Sequence, residues 1–219
     1  VETNKYYAKE IGVNAAARIT TVKPSGTTSC VLGTASGVHA WHNDYYIRRL
    51  RVGKNEAIYT YLTLRHPELV EDDFFKPETQ AIISIPQRAP NDGILRHETS
   101  IELLERVKDI YNRWIVPGHR QGNNTHNVSC TVSVREEEWE KVGKWMWENR
   151  EYYNGISVLP YYGGSYKQAP FEDIDKETFE GMFINLKEVD LSNVVEIVDN
   201  TNLTGELACA GGACELQLA

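Results

Sequence analysis

Two thiols with four residues between them lie in the stretch ELACAGGACEL, Cys209 and Cys214 on either side of Ala-Gly-Gly-Ala. Fully extended, the five steps between them span about 17 Å, whereas a disulfide needs Cα atoms within about 7 Å. Gly211 and Gly212 let the backbone double back, because glycine takes positive φ without a Cβ penalty. The geometry favours reversible redox exchange. A metal pair and no role at all stay open, although zinc ordinarily wants four ligands and no second pair is near. Cys30 and Cys130, set among apolar neighbours, read as buried free thiols.

A second chemical site is the junction TTVKPSGTTSC, 20–30. Pro24 ends a β-rich run, Ser25 is a helix N-cap, and Gly26 allows close backbone approach to a ligand. The unpaired N–H groups that follow form an anion site. Thr27, Thr28 and Ser29 add hydroxyls, and Lys23 adds charge. Each hydrogen bond to a charged group contributes about 1.5–3 kcal/mol, so several would hold a diphosphate or triphosphate. An ordinary capped helix is the competing reading, and the spacing is not that of the G-x-x-x-x-G-K-[ST] loop.

Other groupings are weaker. His39 and His42 are spaced as a metal pair but have no third ligand at a compelling distance in sequence, so no metal site is assigned. Arg120, Asn123, Asn124, His126 and Asn127 either line a pocket or satisfy a turn. Tyr161 and Tyr162 end a strand before Gly163 and Gly164, where adjacent side chains point to opposite faces. A redox or pocket-lining role is open for that pair.

Elements must position these groups. Strand patterns cover 17–22, 45–52, 80–87, 126–134 and 155–162. Helical patterns cover 3–16 up to a turn, 25–33 with Gly33 as stop, 55–66, 99–115, 135–150 and 175–187 capped by Asp175. In 126–134 the alternation is strict, with Val128, Cys130, Val132 and Val134 on one face. Strands alternating with helices argue an α/β fold with mostly parallel strands and helices outside. After about residue 198 the pattern fades into a tail expected to be mobile. Hydrophobic residues make up 41% and charged residues 25%, ordinary globular values. The net charge of −8 argues against a nucleic-acid surface. The basic run YYIRRLRVGK, 45–54, reads as a local basic edge. No run of 18 apolar residues suggests a membrane span. No signal peptide is recognised, so the expected location is cytoplasmic. The opening VETNKYYAKE, already helical in pattern, is expected to continue a longer chain.

Taken in order, TTVKPSGTTS, GVHAWHNDYYIRRLRV, GNNTHNVSCTVSV, WMWENREYYNGISVLPYYGGSYKQAP and ELACAGGACEL resemble the C-terminal part of a ribonucleotide reductase catalytic chain. The resemblance covers essentially all 219 residues and is greatest to the adenosylcobalamin-dependent (class II) ribonucleoside-triphosphate reductases. It implies the second half of a ten-stranded α/β barrel over 1–198, with a mobile redox tail over 199–219. Ser25, Gly26, Thr27, Thr28 and Ser29 would bind the substrate's phosphates. Cys209 and Cys214 would be the dithiol that re-reduces an active-site disulfide, left when a thiyl radical takes the ribose 3′ hydrogen and the 2′ hydroxyl departs as water. The implied partners are a ribonucleotide, thioredoxin or a similar reductant, and the N-terminal half of the barrel. The implied cofactor is adenosylcobalamin. The family's Asn-Pro-Cys finger loop is not among these residues, so the expectation is a fragment inactive alone. Two alternatives remain at this level. Tyr161 and Tyr162 lie near the position of the tyrosine pair that carries a radical inward in class I reductases, which use a separate radical subunit. A non-catalytic nucleotide-binding module with a redox-sensing tail is the other.

Overall fold

The computed structural model describes residues 1–25, 28–161 and 166–198. Helices run over α1 Glu2–Glu10, α2 Thr28–Leu32, α3 Ala57–Arg65, α4 Ser100–Ile110, α5 Trp139–Glu148 and α6 Lys176–Ile184. Strands run over β1 Tyr45–Gly53, β2 Val70–Asp72, β3 Gln80–Arg88, β4 Thr131–Val134, β5 Ser157–Pro160 and β6 Phe171–Asp173. The chain divides into two compact units, Val1–Ala40 with Arg96–Tyr162 and Trp41–Leu95 with Gly163–Ala219.

The first unit is built on the strict alternation before and through β4. Val128, Cys130, Val132 and Val134 are all buried, and they meet Leu103, Leu104 and Val107 of α4 and Val142 and Trp145 of α5. Burying each such aliphatic side chain contributes about 1.5–3 kcal/mol. Thr99 starts α4 with a capping box, its side chain accepting from the Glu102 N–H while the Glu102 carboxylate accepts from the Thr99 N–H. The helix then widens into a π turn over Tyr111–Ile115. β4 pairs with β5 in parallel, Val132 opposite Val158, and α5 lies between them in sequence. A parallel bridge from Val22 to Val128 adds a third line. The β-rich run 17–22 therefore forms bridges at Arg18 and Val22 rather than a full strand.

In the second unit the order is β2-β3-β1-β6, and every pairing is antiparallel. Val52, Leu62, Leu69, Ala81 and Ile83 form its core, with Ile58 and Tyr59 of α3 packed against them. The expectation of mostly parallel strands is thus corrected: among the described residues only β4 and β5 form a parallel ladder. The cause is β2, whose sequence Val-Glu-Asp carries no strand signal. After α3 it takes the same direction as β1, and β3 then turns back between the two.

The basic run is not an edge. β1 has β3 on one side and β6 on the other, and its neighbours neutralise it. Arg49 meets Glu71 at 3.4 Å and Glu172 at 2.6 Å, Arg51 meets Asp73 at 3.1 Å, and Lys54 meets Asp72 at 2.6 Å. Arg48 is buried with its guanidinium 4.2 Å from the Phe171 ring centroid.

Candidate functional site

The junction around Pro24 is held by hydrogen bonds that begin as a parallel ladder. The Val22 N–H donates to the Asn127 carbonyl at 3.2 Å, and the Ser129 N–H donates to the Val22 carbonyl at 2.9 Å. The next rung would need an N–H on Pro24, which proline lacks, and there the chain turns away. The π turn clamps the segment from its other side. The Trp114 indole donates to the Thr21 carbonyl at 3.3 Å, and the Thr20 hydroxyl donates to the Ile115 carbonyl at 3.3 Å. Gly118 packs so tightly on Thr20 that any Cβ would overlap its side chain.

Beyond Pro24, Ser25 lies three residues before the start of α2 and reaches into its first turn. The Ser25 hydroxyl accepts from the Ser29 N–H at 3.0 Å, and the Ser29 hydroxyl donates to the Ser25 carbonyl at 2.7 Å. Ser29 is buried and its hydroxyl donates within the turn, to the Ser25 carbonyl. Thr28 is exposed at the start of α2, and Gly33 ends that helix at φ +61°. Gly26 and Thr27 lie outside the described residues.

The sequence reading missed the segment behind this turn. The Ser36 hydroxyl accepts from the Ser25 N–H at 3.0 Å and lies 2.9 Å from the Ser25 carbonyl. Gly37, at φ +59°, crosses the Lys23–Pro24 peptide so closely that a Cβ would stand 2.9 Å from the Lys23 carbonyl oxygen. Val38 anchors the segment in the core, and Arg106 donates to its carbonyl at 3.0 Å while pairing with Glu98. His39 Nε2 accepts the Thr131 N–H at 3.1 Å, and Nδ1 lies 2.9 Å from the Ser36 carbonyl. The signal that could have exposed this is Pro24 itself. A ladder stopped by proline leaves the Thr131 N–H needing another acceptor.

The His39 ring is engaged at both nitrogens, and His42 Nε2 lies 2.9 Å from Asp173 with its ring stacked on Phe171 at 4.9 Å. Among the described residues no three His, Cys, Asp or Glu side chains gather as ligands. The polar stretch 118–129 resolves largely into turn chemistry. Arg120 donates to the Ala16 carbonyl at 2.9 Å, and Asn127 donates to the Gly155 carbonyl at 2.7 Å.

Tyr161 continues from β5 with its N–H on the Val134 carbonyl at 2.8 Å, half-exposed, its ring centroid 5.0 Å from the Arg135 guanidinium. Arg135 is fixed in turn by Glu138. Burial pushes the Glu138 carboxyl up, but the Arg135 N–H, the N–H and hydroxyl of Ser100 and the Arg135 charge together hold it below the usual carboxylate value. Tyr162, Cys209 and Cys214 lie outside the described residues, as does the Cys30 side chain. Cys130 is a buried free thiol as expected, and burial pushes its pKa up to about 11 against a lowering by Arg106.

No family model matches the chain. Individual relatives do. The adenosylcobalamin-dependent ribonucleoside-triphosphate reductase of Lactobacillus delbrueckii subsp. bulgaricus is 28% identical over 226 residues, covering 99% of this chain and 29% of the relative. The reductase of the same name from Euglena gracilis is 30% identical over 204 residues, covering 90% of this chain and 26% of the relative. Among solved structures, a B-12 dependent (class II) ribonucleotide reductase aligns with a TM-score of 0.67 at 27% identity, over 84% of this chain and 25% of its own. Among the described residues no helix is long and apolar enough to cross a membrane. Over nearly its whole length, the chain is homologous to a segment of the adenosylcobalamin-dependent ribonucleotide reductases that makes up about 29% of the Lactobacillus proteins.

Proposed function

We propose that this chain forms part of a reductase converting ribonucleotides to 2′-deoxyribonucleotides, with residues 25–29 gripping the substrate's phosphates and Cys209 and Cys214 delivering electrons. The observation that carries the reading is the 99% coverage by the Lactobacillus reductases. The braced turn at Ser25 adds to it, because its hydroxyl contacts to Ser29 and Ser36 fix the chain on either side of the phosphate-binding residues named from the resemblance. Residues 1–198 would form part of the reductase barrel and 199–219 its redox tail, with the remaining barrel strands supplied by another stretch of polypeptide.

The cleft beside α1 does not fit a corrinoid, being open and without a histidine in its lining. The cleft of about 650 Å³ against α1 is open and lined mainly by Tyr7, Ala8, Ile11, Val13 and Ile19. Adenosylcobalamin, which supplies radical chemistry when bound, is therefore assigned to the reductase as a whole.

Electron delivery balances as follows. Reduction of one ribonucleotide oxidises two active-site thiols to a disulfide and releases water. A tail thiolate attacks that disulfide, and the second tail thiol displaces the mixed disulfide. The active-site thiols are restored and a Cys209–Cys214 disulfide remains. Thioredoxin or a similar dithiol then supplies two electrons and two protons to the tail. Tethering keeps the local thiol concentration near mM.

The test combines this chain with a polypeptide carrying an Asn-Pro-Cys finger loop, adenosylcobalamin and thioredoxin, and follows deoxyribonucleotide formation. Sustained turnover is expected, and Cys209→Ser should stop after a single turnover. Unchanged thioredoxin-driven turnover in Cys209→Ser refutes the tail assignment. Nucleotide affinity unaffected by Thr28→Val and Ser25→Ala together refutes the phosphate assignment.

A further inference from the structure

We propose that His39 is a positioning residue for the proposed phosphate-binding turn, its two ring nitrogens tying Ser36 behind the turn to Thr131 of β4. The inference rests on the phosphate reading of residues 25–29. Its geometric core does not, because it follows from the donors and acceptors around one ring.

The Thr131 backbone N–H can only donate, so His39 Nε2 must carry a lone pair. The Ser36 carbonyl can only accept, so Nδ1 must carry the proton. Both neighbours independently demand the Nδ1–H tautomer. A doubly protonated ring would set an Nε2–H against the Thr131 N–H and lose that contact.

The ring occupies the place that the interrupted ladder leaves. With the pairing set by Val22 and Val128, the Thr131 N–H would next meet the Pro24 carbonyl, but the chain has turned away there. His39 supplies the missing acceptor and passes the constraint back through Ser36 to both the N–H and carbonyl side of Ser25. Gly37, between them, lies against the Lys23–Pro24 peptide. The chain at Lys23–Ser25 is thus registered on β4 through side chains instead of through continued strand pairing.

The experiment uses the full 219-residue chain and inorganic tripolyphosphate as probe. Nitrogen-15 spectra of the imidazoles should show His39 as the Nδ1–H tautomer near neutral pH. Calorimetric titration should show His39→Phe, which keeps ring volume and removes both hydrogen bonds, binding tripolyphosphate about tenfold more weakly, the size expected for two lost neutral hydrogen bonds. His39→Asn, which keeps a donor near Ser36, should retain more affinity than His39→Phe. Circular dichroism and the thermal midpoint check that each variant is folded. An Nε2–H tautomer in the wild type, or His39→Phe binding as well as the wild type and better than His39→Asn, overturns the inference and marks the ring as packing only. A wild-type chain that binds no tripolyphosphate overturns the phosphate reading and this inference with it. Loss of binding in the Thr28 and Ser25 variants but not in either His39 variant overturns the inference alone.

Discussion

Replacing Gly37 by alanine tests whether the turn after Pro24 is held in place from behind. Two costs are expected, and the chain contains a control that separates them. Gly37 sits at φ +59° and Gly33 at φ +61°, so alanine at either position costs about 1–2 kcal/mol for the left-handed conformation. Around Gly33 a new Cβ meets nothing within 4 Å, whereas at Gly37 it meets the Lys23 carbonyl oxygen at 2.9 Å and the Lys23 carbon and Pro24 nitrogen at 3.1 Å. These are backbone atoms, and they cannot rotate aside as a side-chain tip would. Val38 next to Gly37 is locked in the core, so the shift must go into residues 23–25. Overpacking of this kind typically adds about 1–3 kcal/mol. Gly37→Ala should therefore lose about 2–5 kcal/mol in urea denaturation and Gly33→Ala about 1–2 kcal/mol. Tripolyphosphate affinity should fall about tenfold in Gly37→Ala and stay within about twofold in Gly33→Ala. Equal destabilisation in the two variants, with equal affinities, would show that the close approach positions nothing.

Two further outcomes follow from buried groups in the same unit. Glu138→Ala strands the Ser100 and Arg135 N–H donors, and about 3 kcal/mol of stability should be lost at pH 7 in urea titration. The Glu138 carboxyl lies below its ordinary 4.5 in the folded chain, so its contribution is present above that value and is lost as pH falls through the lower folded one. The gap between wild type and Glu138→Ala should narrow in that acid range, and a gap that widens there contradicts the assigned hydrogen bonds. Cys130, with its pKa pushed up to about 11, should carry about one thiolate in a thousand at pH 8 and resist alkylation until the chain is unfolded. Mass spectrometry of the alkylated peptides checks this, and labelling at the rate seen in urea refutes the burial.

The elements were legible wherever one face of a segment meets a core. The alternation of 126–134 gave every buried position correctly, and 99–115 is helical throughout once its last five residues are allowed a wider turn. Pairing direction was not legible, because alternation fixes which face is buried and not which way the neighbour runs. β2 and β6 were missed for a related reason. Each has three residues, two of them acidic, and they are strands because β2 pairs with the backbone of β3, β6 with that of β1, and Arg49 of β1 meets an acid of each. At the candidate site Ser25 and Gly33 were legible as cap and stop, since those roles are local. The roles of Ser36, Gly37 and His39 were not, because each depends on a contact reaching back to residues 23–25 or across to Thr131.

Proline at the end of a paired segment has consequences on both strands. On its own strand it frees the chain to turn, which is what a backbone anion site requires. On the partner strand it leaves a donor without its expected carbonyl, and a side chain with an acceptor must fill the place. A carbonyl from another strand would serve the partner equally well, but it would continue the sheet past the point where the turn must open. An imidazole closes the ladder without extending it, and its second nitrogen remains to hold the turn. The Ser36–Gly37–Val38–His39 segment meets all of these requirements in four residues: a hydroxyl on Ser25, a bare Cα against the Lys23–Pro24 peptide, an apolar anchor, and the ring on β4. The arrangement therefore sets the turn by contacts that are independent of a bound anion. On the proposed phosphate role, tripolyphosphate affinity should depend on residues 36–39 more strongly than on further hydroxyls placed after Pro24, and equal dependence on both would count against that role.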